Sequence, residues 1–117
     1  MRNLFQDIPG DLPGELFDTL VRGEGVHIER IVSKGHASME NSWYGQEHDE
    51  WVLVLRGSAR LAFQDGRVTS LGEGDWLEIP AHLKHRVAWT DPSRETIWLA
   101  VHYPALTGGV EAEKNDD

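Results

Sequence analysis

Two short passages gather side chains suited to metal or acid/base chemistry, Gln46-Glu47-His48-Asp49-Glu50 and Pro80-Ala81-His82-Leu83-Lys84-His85. Together they hold half of the chain's six histidines, beside several carboxylates. A neutral imidazole offers a nitrogen lone pair near neutral pH and a carboxylate offers hard oxygens, so this mixture suits a divalent cation. The chain has no cysteine, which excludes disulfides and thiolate sites and leaves nitrogen and oxygen as the available donors.

Each passage is joined to a strand-like run and a glycine turn, so a small β-barrel can bring them together. The clearest strand signal is Glu50-Trp51-Val52-Leu53-Val54-Leu55-Arg56, closed by Gly57 and followed by Ala59-Arg60-Leu61-Ala62-Phe63 and an Asp65-Gly66 turn. Residues 26–32 alternate, and 67–71, 76–79, 86–89 and 96–103 add further short strands between Gly, Pro and Asp breaks. Such even spacing predicts an all-β sandwich or barrel. Residues 13–21 carry apolar side chains at 16, 17, 20 and 21, a stripe that predicts a short N-terminal helix stopped by Gly23 and Gly25. Residues 107–117 have almost nothing to bury and are expected to form a disordered tail.

At 13.2 kDa the chain has room for one domain and one hydrophobic core. Its formal charge of -9 repels phosphate backbones and anionic lipid, which argues against nucleic-acid and membrane partners. There is no apolar signal core at the start and no run long enough to span a bilayer, so a soluble, cytoplasmic protein is expected. The five tryptophans are expected in the core or at an interface between subunits.

The run Gly74-Asp75-Trp76-Leu77-Glu78-Ile79-Pro80-Ala81-His82-Leu83-Lys84-His85-Arg86-Val87 resembles the second conserved motif of the cupin superfamily. In that motif a glycine-aspartate turn starts a strand, a proline ends it, and a histidine five positions later opens the next strand. Gly74, Asp75, Pro80 and His85 fall in register, while His82 stands where cupins usually have glycine. The first cupin motif has two histidines flanking one residue, then a glutamate, then a glycine seven further on. Glu50 and Gly57 match its second half, and its histidine positions fall on Tyr44 and Gln46. The resemblance spans residues 26 to 103 and implies a double-stranded β-helix, or jelly roll, as a cupin barrel over 26–106 behind an N-terminal segment 1–25. It also implies a bound divalent metal and a homodimer.

In that register the implied metal ligands are Gln46, Glu50 and His85, with His48 as a compensating donor that strand alternation puts on the same side as 46 and 50. So oxygen-rich a set favours manganese or ferrous iron over copper, with zinc and nickel as further candidates. Tyr44 and Glu50 are the candidate catalytic residues, and His82, His102 and Trp51 the candidate pocket residues. Each has a plainer alternative: loop amide for Gln46, solvated turn for His48, packing for Tyr44. His27 and His36 belong to no motif and are expected to be ordinary strand or surface residues.

Two functions follow from the resemblance. One is a metal-dependent enzyme of isomerase, lyase or dioxygenase type acting on a small oxygen-bearing molecule. The other is a non-catalytic module that binds or senses a small ligand. Metal-free sugar-nucleotide epimerase chemistry ranks last, because it requires basic residues for a diphosphate that this acidic chain scarcely offers.

Overall fold

A computed structural model describes residues 2–104, and the expected tail at 107–117 lies outside them. Eight strands follow in order: β1 (Leu16–Gly23), β2 (Val26–Ser33), β3 (His48–Arg56), β4 (Ala59–Phe63), β5 (Val68–Leu71), β6 (Trp76–Ile79), β7 (His85–Thr90) and β8 (Thr96–Pro104). They form two antiparallel sheets, ordered β1-β2-β8-β3-β6 and β5-β4-β7. No described residue is helical, and no helix is long and apolar enough to cross a membrane.

The core follows from the period of two. Along β3, Glu50, Val52 and Val54 point inward and are buried, while Asp49, Trp51, Leu53 and Leu55 alternate with them on the other face. Val52 and Val54 meet Leu61 and Phe63 of β4, Leu71 of β5, Ile79 of β6, and Trp98 and Ala100 of β8 between the sheets. Burying a large apolar side chain of this kind contributes about 1.5–3 kcal/mol, so this cluster is what holds the sheets face to face. Trp98 also donates its indole N–H to Ser33 Oγ at 3.3 Å, which satisfies its one polar atom inside the core.

The helix expected over 13–21 is instead mostly edge strand β1, paired with β2 from Leu16↔Val32 to Gly23↔Val26. A bulge between Thr19 and Val21 breaks the alternation. With that slip, apolar residues at 16, 17, 20 and 21 imitate a helical stripe, yet Phe17, Leu20 and Val21 are exposed rather than packed along one face. The segment before β1 is tied down by Arg30, whose guanidinium donates to the carbonyls of Leu4, Gln6 and Asp7 and pairs with Asp18. A buried arginine needs this many acceptors to offset its lost hydration.

Gly57, which joins β3 to β4, has φ of 92°, and a Cβ there would lie 2.5 Å from Thr96 Oγ1 and 2.7 Å from the Glu95 carbonyl oxygen. Only glycine fits so close an approach in that conformation. The turn sets where β3 ends, and so fixes which of its residues face inward.

Candidate metal centre

Strand register places the site. His27 on β2 and Glu50 on β3 both lie directly opposite His102 on β8. His85 enters from the second sheet at the start of β7, clamped by reciprocal backbone hydrogen bonds with Tyr44, N to O at 2.8 and 2.9 Å. Glu50, His85 and His102 converge on a cavity of about 270 Å³, lined also by Glu29, Tyr44 and Gln46 above an apolar floor that includes Val52, Leu61 and Trp98.

Glu50 is buried, and each of its oxygens faces an imidazole. His85 Nε2 lies 3.7 Å from Oε1 and His102 Nε2 lies 3.9 Å from Oε2. Both separations exceed a hydrogen bond. The hydrogen bond Glu50 does make comes from the Gln46 amide, Nε2 to Oε1 at 2.6 Å. His85 Nδ1 donates to the Leu83 carbonyl at 2.9 Å, which commits the ring proton to Nδ1 and turns Nε2 toward the cavity. Burial opposes protonation of His85, but its contacts with Glu50 and Leu83 outweigh burial and hold its pKa above the ordinary 6.5.

His102 Nε2 also lies 3.0 Å from Glu29 Oε2, so one imidazole nitrogen sits between two carboxylates. Beyond Glu29, His27 stacks on His102 with ring centroids 5.5 Å apart. The donor atoms of His27, Glu29 and His102 all lie within 4.8 Å of one another.

Taken in pairs, neighbouring donors stand near the spacing that a divalent cation imposes. Two ligand atoms each about 2.1 Å from one ion stand roughly 3.0–3.5 Å apart, and the His85–Glu50, Glu50–His102 and His102–Glu29 separations bracket that span. Among the described residues the one trio whose donor atoms are all mutually close is His27, Glu29 and His102, and Arg22 presents its guanidinium to His27 Nε2 at 3.3 Å. A fixed positive charge there disfavours a cation. Glu50, the most buried carboxylate, continues the line of donors from His102 to His85, with neighbouring members 3.9 and 3.7 Å apart, so a cation shared by Glu50, His85, His102 and Glu29 would draw the outer members inward.

Among the residues singled out from sequence, Tyr44, Gln46, Glu50, His85 and His102 line the one cavity. Gln46 is turned to donate to Glu50, so its amide oxygen faces away from that carboxylate. His48 does not line the cavity: it is exposed at the start of β3 and lines a separate polar pocket with His27. Trp51 does not line it either, since alternation puts it on the face of β3 opposite Glu50, where it packs against Trp76. His82 is exposed, in the turn before β7, and its backbone has φ of 69° while its N–H donates to the Gln46 carbonyl at 2.7 Å. The turn therefore keeps the conformation a glycine would adopt, although a histidine occupies it. Glu29 and His27 carried no sequence signal beyond the alternation of β2; pairing β2 with β8 is what brings them beside His102.

Two antiparallel sheets in this order, enclosing a cavity lined by carboxylates and imidazoles, define a double-stranded β-helix. The chain belongs to the cupin family: the model of the cupin domain, Cupin_2, matches residues 29–102. A Ralstonia eutropha JMP134 protein provisionally assigned as a mannose-6-phosphate isomerase is 46% identical, with a TM-score of 0.86 over 90% of this chain and 98% of that one. A cupin superfamily protein from Desulfitobacterium hafniense DCB-2 is 22% identical, with a TM-score of 0.69 over 83% of this chain and 84% of that one. An RmlC-like cupin with a double-stranded β-helix fold from Methanocaldococcus jannaschii is 19% identical, with a TM-score of 0.65 over 85% and 88%. The last two support the fold alone. No curated protein matches the chain.

Proposed function

We propose that this cupin is a metal-dependent enzyme that isomerises a small oxygen-bearing molecule by acid/base chemistry. The observation that carries the reading is the buried Glu50 carboxylate, flanked on its two oxygens by His85 and His102 inside a cavity of small-molecule size. Glu50, His85, His102 and Glu29 would hold a divalent ion, manganese or iron by their hardness, and when bound that ion supplies Lewis-acid polarisation of a substrate oxygen.

The remaining side chains have separate work. Gln46 orients Glu50 through its amide, and the Leu83 carbonyl fixes the His85 tautomer. Tyr44, half exposed at the cavity and tilted against His85, has a phenol in position to give or take a proton at the substrate. The apolar floor excludes water from the far end of the cavity.

The assignment of the Ralstonia protein makes aldose–ketose interconversion the reaction to test first. Manganese-loaded protein incubated with mannose 6-phosphate is expected to form the ketose phosphate, and Glu50→Gln to abolish it. Metal-loaded protein that turns over neither phosphorylated nor free aldoses would contradict the isomerase reading. A second reading, a module that binds a small ligand without transforming it, is favoured by one observation, the predominance of apolar side chains such as Ile31, Val52, Ile79 and Val87 in the cavity lining. The reading includes a homodimer, supported by exposed Phe17 and Val21 on edge strand β1.

A further inference from the structure

A second concavity, about 460 Å³, adjoins the metal cavity and differs from it in chemistry. Its lining includes Arg22, His27 and His48, and it shares Glu29, Gln46 and His102 with the metal cavity, so those three residues form the wall between them. Gly23 and Gly25 also line it.

Arg22 is placed unlike most other arginines. Arg30, Arg67 and Arg94 pair with carboxylates, and Arg56, Arg60 and Arg86 lie over aromatic rings. Among the described residues Arg22 has neither kind of partner; its NH2 group lies 3.3 Å from His27 Nε2. That leaves most of a planar five-donor fork directed at a polar pocket. The one carboxylate lining this pocket, Glu29, is turned onto His102 at 3.0 Å.

We infer that this pocket is the subsite for an oxyanion, a phosphate or carboxylate group, and that Arg22 supplies the charge that selects it, with His27 steadying the guanidinium and His48 as a further donor. The inference rests on the metal-cupin reading for its consequence: a ligand anchored here by its anion extends past the Glu29–His102 wall and presents its other end to the metal cavity. It names the substrate class as small oxygen-bearing anions. In a chain of net charge -9, a local positive fork is also what lets an anion approach at all.

The test uses full-length protein stripped of metal with EDTA and titrated with inorganic phosphate, or with acetate in a parallel arm, while side-chain and backbone NMR signals are followed. Saturable shifts centred on Arg22, His27 and His48 are expected, with affinity at least tenfold weaker in Arg22→Gln and unchanged in Arg94→Gln. Arg22→Lys keeps the charge without the fork and is expected to fall between, which guards against a folding artefact in the glutamine variant. The arm with the tighter binding identifies the anion. Equal binding by Arg22→Gln, or shifts confined to His85 and Glu50, would overturn the inference. Because no metal is present, failure here is separate from failure of the metal site to load.

Discussion

Glu50 and His102 stand directly opposite each other on neighbouring strands β3 and β8, with Oε2 and Nε2 3.9 Å apart. Neither is hydrogen-bonded to the other at that distance. A buried carboxylate at that spacing from an imidazole, with a second imidazole on its other oxygen, is poised for a shared cation rather than for a direct ion pair.

His102→Ala is therefore expected to weaken manganese or iron binding by more than about 10–100-fold, the range for losing a residue that only orients a ligand. His48→Ala, altering an exposed residue of the neighbouring pocket, is expected to leave it within about threefold. Calorimetric titration of both variants checks this pair of outcomes.

The pH dependence of the metal-free protein follows from His85. Its pKa in the folded chain is raised above 6.5, so protonated His85 adds stability that is fully present below pH 6.5 and lost as pH rises through the raised value. Melting temperature should fall as pH rises from 6.5 through the raised value, and His85→Gln should flatten that slope. Metal affinity runs the opposite way, strengthening as pH rises, because the ion competes with the proton on the imidazole.

Gly57→Ala should destabilise the fold by about 2–3 kcal/mol, from the left-handed backbone and the collision with Thr96 and the Glu95 carbonyl. His82→Gly is the converse case. Relieving a histidine at φ of 69° should stabilise by about 0.5–1 kcal/mol after the added freedom of the unfolded chain is counted. Denaturant unfolding of the two variants measures both.

What the sequence made legible were the elements whose signal is local. The alternation of Val52 and Val54, the Gly57 and Asp65-Gly66 turns, and the run from Gly74 to His85 located the barrel strands to within a residue or two. β1 carries a helix-like pattern because a bulge gives an edge strand the spacing of a helix. The site was half legible for a related reason. Glu50 and His85 belong to motifs, but Glu29, His27 and the full importance of His102 arise from the register of β2 and β3 against β8. Register joins residues far apart in the chain, so no single segment carries it. Trp51 shows the same limit in reverse, since it neighbours Glu50 in sequence and faces the other way.

Elemental analysis of protein purified without a nickel column tests most directly whether Glu50, His85, His102 and Glu29 hold a divalent metal. About one equivalent of manganese or iron per chain is expected, falling to background in Glu50→Gln while that variant keeps its fold. Substoichiometric metal, with no uptake when manganese, iron, zinc or nickel is added, would contradict it.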